Sequence, residues 1–332
     1  MTKTRTRPLL TARPLRLRAI PGAAAALALL ALTACSDSEP GGSTHAAAAV
    51  DNCGFDVSVD SPPERAITMN QAATEIMLAL GLEDRMVGTA YMDDEIHPDL
   101  AEAYESVPVL SEAYPSKESV YDKEPDFVYG SYPSAFEDEA AGGRDELDGL
   151  GIASYLSPAG CAEEETSLDD VRTEILQIAD VFGVPERGEE LVAEQEATVA
   201  EAAESLKDAD LSVMWWDNAT DVPSVGACCG APAAIMDELG VDNAFGDVEG
   251  KWGDVTWESV VDRDPDVIVV VDAEWSPAAE KIEHLESDPA LRSLDAVKEG
   301  RVVSIPFSAT TPGFRNAQAV ADLSASIGAA VE

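Results

Sequence analysis

The residues of this chain with chemistry to offer are few and scattered. Two adjacent thiols, Cys228 and Cys229, sit in the loop G-A-C-C-G-A-P. One arginine, Arg315, follows the last apolar run in T-T-P-G-F-R. The only histidines, His45, His97 and His284, fall in a tether, a loop and a helical stretch. Neither G-x-S-x-G nor H-E-x-x-H occurs, and there is no G-x-x-x-x-G-K-[ST], so hydrolase, metalloprotease and nucleotide-driven chemistry find no motif to rest on. Adjacent thiols can hold a soft metal or close a vicinal disulfide. Asp93-Asp94-Glu95 with His97 offers hard-metal donors, but among 64 acidic residues it reads as a solvated loop.

A repeat is more informative than any of these. Residues 118–128 read ESVYDKEPDFV and residues 258–268 read ESVVDRDPDVI, with six of the eleven positions identical. Each copy has Ser116 or Thr256 two residues before its glutamate, an N-cap followed by an acid in the first turn, where the helix dipole favours negative charge. Each then reaches Pro-Asp and an apolar run, so each is a short helix, a turn and a strand. The two copies imply two similar units, each opening its phrase with an acid: Glu118 and Glu258.

The elements around the repeat are short β-branched runs alternating with helical patterns, the rhythm of an α/β fold with mostly parallel strands. Strands are predicted near 66–70, 86–91, 127–132 and 152–157, then 211–217, 267–272 and 302–307. Between the halves, Leu168, Val171, Ile175, Ile178 and Phe182 recur at helical spacing, with Ser167 and Asp170 as a capping box and Gly183 and Pro185 as a stop. A second helix is predicted over 186–206. The layout is a lobe over 52–165, an interlobe helix over 166–183 and a lobe over 184–332. A crossover helix within one large sheet is the alternative that the repeat disfavours.

The first 34 residues carry six basic and no acidic side chains, then an Ala/Leu run from about Ala23 to Leu32, the pattern of a secretory signal. Without them, 298 residues carry a formal charge of −49. That charge excludes nucleic acid, whose binding needs cations against phosphate, and fits adaptation to salt. The signal ends in Leu32-Thr33-Ala34-Cys35, which resembles the bacterial lipobox and implies acylation of Cys35. The Gly/Ser/Ala-rich stretch that follows, 35–51, suits a flexible tether. An exported chain permits disulfides. With Cys35 acylated, four cysteines allow three pairings. Cys53 with Cys161 is favoured because both fall in one half, leaving Cys228 and Cys229 as a vicinal pair or free thiols.

The twin phrase, xxE-x-apolar-x4-P-D-apolar-apolar once per lobe, resembles the substrate-binding proteins of ABC importers for iron–siderophore complexes, haem and cobalamin. The resemblance runs from R-A-I-T-M-N-Q-A-A-T-E-I-M-L-A-L-G at Arg65 to near the C-terminus. It implies a class III binding-protein fold: two Rossmann-like lobes joined by a single long helix, a monomer with no intrinsic cofactor and no catalysis. It implies Glu118 and Glu258 as the pair that docks on a permease dimer served by a separate ATPase. It places a ligand between the lobes, at the C-terminal ends of strands. The candidate lining is then Met69-Asn70, Tyr91-Met92, Tyr129 to Tyr132, Trp215-Trp216, Cys228, Cys229, Trp252, Phe307 and Arg315. Aromatic walls suit a flat metal chelate: an iron–siderophore first, with haem, cobalamin or a deazaflavin-cofactor precursor open. An exported metal chaperone using Cys228 and Cys229, and an exported α/β enzyme, are the competing functions.

Overall fold

The computed structural model describes residues 48–161, 165–207 and 209–332. The signal, Cys35 and the tether up to residue 47 lie outside the described residues. The expected tether is four residues too long, because β1 (Ala48–Asn52) already pairs antiparallel with β2 (Phe55–Val59). Ala48, Val50 and Val59 pack against the core of the first lobe, which makes this hairpin part of the fold. Its two-residue turn is Cys53-Gly54, both with positive φ (58° and 80°), as a tight primed hairpin turn requires. Cys53 is disulfide-bonded to Cys161, 108 residues on, a closure worth about 4–5 kcal/mol in the chain-entropy account.

The first lobe is built on β3 (Ala66–Thr68), β4 (Met86–Ala90), β5 (Val109–Ser111), β6 (Phe127–Gly130) and β7 (Ala153–Leu156). They form an all-parallel sheet in the order β5-β4-β3-β6-β7. Helix α1 (Gln71–Ala79) follows β3 directly. Two helices then link the lobes, α2 (Leu168–Val181) and α3 (Pro185–Leu206). The predicted capping box of Ser167 and Asp170 opens α2, and Gly183 turns the chain at φ 71°. The helices touch closely at Gly188, where an added Cβ would lie 2.5 Å from that of Ala179. Leu168 joins the second lobe's core, while Val171, Ile175 and Ile178 join the first's. Helix α3 mirrors this: Leu191 and Val192 lie in the first core, Val199, Ala202 and Leu206 in the second. Both helices therefore staple both lobes.

The second lobe has β8 (Ser212–Asn218), β9 (Ser224–Gly226), β10 (Asp242–Asn243), β11 (Trp252–Asp254), β12 (Val267–Asp272) and β13 (Val302–Pro306). The order is β11-β9-β8-β12-β13, with β10 beside β8. β8, β12 and β13 are parallel, whereas β9 and β11 add an antiparallel edge that the sequence did not signal. Helix α4 (Ala231–Leu239) follows β9, and α5 (Asn316–Val331) closes the described chain.

The repeat is structural in both copies. Ser116 and Thr256 cap their helices by accepting the N–H of Ser119 and Ser259. Glu124 and Asp264, at matching positions, both turn left-handed (φ 47° and 42°). Asp126 accepts the N–H groups of Glu64 and Arg65 just before β3, and Asp266 accepts that of Ser212 in β8. The repeated Pro-Asp thus ties the end of each turn to the central strand of its sheet. Glu118 and Glu258 themselves stay exposed.

Candidate functional site

The strands β6, β7 and β13 end facing one cleft between the lobes, of about 260 Å³. Chain leaving β6 contributes Tyr132 and Pro133, chain leaving β7 contributes Ser157 and Gly160, and Thr166 enters from the linker. The second lobe supplies Ala231 at the start of α4, Lys251 and Trp252 at β11, and Phe307 with Thr310 to Pro312 after β13. The C-terminal edge of parallel strands is where side chains are freed from sheet packing, hence its use for binding. The cleft is mostly apolar, with one cation. The Lys251 ammonium donates to the Ala159 carbonyl across the cleft at 2.9 Å, its one hydrogen bond among the described residues.

The lobes are tied on either side. The Tyr132 and Thr311 hydroxyls lie 3.2 Å apart. Asp94 Oδ2 accepts the Ser308 N–H at 2.8 Å, and the Cys229 carbonyl accepts the Thr166 N–H at 2.8 Å. The firmest tie is Arg315. Its guanidinium forks onto Glu75 of α1 at 2.7 and 2.5 Å, and donates to Ser308 Oγ and the Glu95 carbonyl. Glu75, 2 % exposed in its side chain, also accepts from Gln71 and the His97 N–H.

These contacts correct several expectations. Arg315 is not a free cleft cation, because four of its five donors are committed to the protein. The Asp93–His97 loop is no free solvated loop: Gln71 holds it through two backbone N–H groups, and it bridges to the second lobe. Tyr129 and Trp215 are fully buried in the two cores rather than in the cleft. A parallel sheet is covered on both faces, so mid-strand aromatics pack under helices whichever way they point. Asn70 is buried too, accepting the Ser131 N–H and donating to the Tyr114 hydroxyl, so it shapes the wall from behind. Tyr91 stacks on Tyr114 with ring centroids 4.6 Å apart, outside the cleft lining. Cys228 and Cys229 are joined to each other and also lie outside that lining, so their sulfurs are not thiolate donors.

Tyr132 and Trp252, both expected, do line the cleft, as does Phe307. Sequence reasoning passed over Ser157, Gly160, Thr166 and Thr310 to Pro312. Only the T-T-P run, a turn directly after a predicted strand, carried a readable signal. It missed Glu174 as well. This carboxylate on α2 is fully buried beneath the cleft floor, accepting from Tyr129 (2.6 Å) and from cleft-lining Ser157 (2.8 Å). Burial pushes it up to about 7 against those two hydrogen bonds.

Residues 67–309 match the family described as periplasmic binding protein. A periplasmic binding protein from Veillonella parvula is 31% identical, covers 85% of this chain and 98% of its own, and superposes with a TM-score of 0.77. An ABC-type Fe3+-hydroxamate transport system structure from Saccharomonospora viridis is 25% identical over 85% of this chain and 99% of its own, with a TM-score of 0.71. YvrC of Bacillus subtilis, an uncharacterized ABC transporter substrate-binding lipoprotein, is 26% identical over 82% of both chains. With one sheet in each lobe, a helical linker and a cleft at the strand ends, this chain belongs to the periplasmic binding protein family: it is an extracytoplasmic substrate-binding protein of an ABC importer with the class III fold, and not an enzyme.

Proposed function

We propose that the protein captures a metal chelate in its interlobe cleft, an iron–siderophore first and haem or cobalamin next, and delivers it to a permease dimer. The observation that carries this reading is the lining itself. It offers the rings of Tyr132, Trp252 and Phe307, prolines, hydroxyls and one ammonium, and its residues include no histidine, cysteine or methionine. Such walls suit a complex whose metal is already fully coordinated, held by ring contact and by Lys251 on one oxygen or anionic group. At about 260 Å³ the cleft encloses one face of such a chelate rather than all of it. A strongly acidic surface steers away polyanions, which favours neutral or cationic complexes.

Docking is assigned to Glu118 and Glu258. They are exposed at matching places on helices of the two lobes, two like charges at a fixed spacing that suit a two-fold partner. Cys35 supplies a lipid anchor. Among the described residues no helix is long and apolar enough to cross a membrane. The deciding experiment is native mass spectrometry of protein purified from its own host. A bound species with a metal isotope pattern supports the reading. A reproducibly bound metal-free amino acid, sugar or peptide sinks it.

A further inference from the structure

At the strand ends of the second lobe stands an indole that the cleft lining does not include. Among the described residues only two aromatic residues are exposed, Trp252 (39 %) and Trp275 (59 %). Trp252 lines the cleft. Trp275 does not, but its ring meets that of Phe307, which does: the centroids lie 4.7 Å apart with the planes at 75°. A lone exposed apolar side chain needs no explanation. One joined by ring contact to the wall of a cleft continues that wall outward.

Register brings the two rings together. β12 and β13 are parallel neighbours, with Asp272 level with Pro306. Phe307 directly follows β13, and Trp275 lies three residues past the end of β12. Both therefore stand at the C-terminal edge of the sheet, the edge from which α/β folds bind. The chain that carries Trp275 is held firmly. Ala273 and Ser276 pair as an antiparallel bridge, so Glu274 and Trp275 are the two residues of a tight turn. Lys281, 1 % exposed, donates to the Val271 carbonyl at 2.5 Å and to the Ser276 carbonyl at 2.8 Å, one on each side of that turn. Asp272 Oδ1 accepts the Ala278 N–H at 2.8 Å, which fixes the return into the helix Ala278–Ser287. A buried ammonium and a carboxylate thus pin the base of a turn whose tip is an exposed indole. A ring presented from a fixed base loses little freedom when a ligand covers it.

Size supplies the second argument. Sites for small molecules run from about 300 to 1,000 Å³, and this cleft encloses about 260 Å³. A larger ligand must extend past the enclosed part, and beyond Phe307 the ring it meets is Trp275. We propose that Trp275, backed by Phe307, is a further ligand-contact residue, an outer subsite that covers a flat conjugated ring face of the bound molecule. That this molecule is a metal chelate rests on the proposed function; the ring subsite does not.

The test compares wild type, Trp275→Phe and Trp275→Ala as whole folded proteins, with melting temperature as the control for folding. An exposed turn tip tolerates both changes. The first probes are 2-naphthol and its saturated analogue decahydro-2-naphthol, titrated calorimetrically. The expected result is saturable binding of 2-naphthol, tighter than that of the saturated probe, weakened about tenfold in Trp275→Ala and largely kept in Trp275→Phe. No saturable binding, equal binding of the two probes, or binding unchanged in Trp275→Ala overturns the subsite. Haemin, a ferric trihydroxamate and cyanocobalamin are then titrated in the same way. A chelate bound about tenfold more weakly by Trp275→Ala supports both the subsite and the chelate reading. A chelate bound equally by wild type and Trp275→Ala keeps the chelate reading and overturns the subsite. Binding of 2-naphthol that depends on Trp275, with no chelate bound, keeps the subsite and removes the chelate reading. Loss of uptake in cells by Trp275→Ala with every titration unchanged assigns the indole to the permease face and overturns the subsite.

Discussion

Arg315 is the side chain whose role changes most between chain and fold, and its replacement separates the two roles. The guanidinium and the Glu75 carboxylate are 12 % and 2 % exposed, joined by two hydrogen bonds across the lobe boundary, 240 residues apart in sequence. Arg315→Ala leaves Glu75 buried without its partner, with only Gln71 and the His97 N–H to compensate, and strips Ser308 Oγ and the Glu95 carbonyl of a donor. Removing one partner of such a pair costs about 3–5 kcal/mol. At about 2–4 °C per kcal/mol for a chain of this order, the melting temperature falls by roughly 6–20 °C. Arg315→Lys recovers part, because an ammonium replaces one arm of the fork. Glu75→Leu with Arg315→Met removes both charges and loses much less than the sum of the single changes. The assay is thermal and urea unfolding of the four proteins, with a ligand titration by tryptophan fluorescence alongside. A stability loss below about 1 kcal/mol, the range of an exposed pair, refutes the tie. An unchanged melting point with weakened ligand binding would instead place the guanidinium on the ligand.

Three further outcomes are expected. Glu174 binds its proton more tightly in the folded protein (about 7) than at its ordinary 4.5, so the native state holds the extra proton between these values and stability falls as pH rises through that window, by about 3 kcal/mol from this group. Glu174→Gln should flatten that slope in pH-dependent urea unfolding. An identical slope in both proteins would mean that Glu174 titrates normally. Glu118→Ala with Glu258→Ala should abolish uptake in cells while ligand titration in solution is unchanged; loss of ligand binding by the double variant refutes the docking role. Cys53→Ser with Cys161→Ser should cost about 4–5 kcal/mol in unfolding experiments under oxidising conditions, and a variant as stable as wild type refutes the closure argument.

The sequence by itself determined the two-lobed α/β plan. Period-two and period-3.6 apolar patterns record which faces are buried, and those patterns are local, so β12 (Val267–Asp272), the Ser167–Asp170 capping box and the twin helices of the repeat could all be read directly. What escaped were elements with little local pattern: the β1–β2 hairpin and the short antiparallel β9 and β11, whose formation depends on neighbours supplied by distant chain. The site was less legible still. An aromatic after or within a strand reads the same whether it points under a helix, as Tyr129 and Trp215 do, or into the cleft, as Tyr132 does. Only the packing of helices on both faces of each sheet decides between them. In the same way, nothing near Arg315 in the sequence reveals that Glu75 waits across the lobe boundary. Charge pairing at such separation is set by tertiary geometry, and that geometry turned a candidate ligand contact into the tie between the lobes.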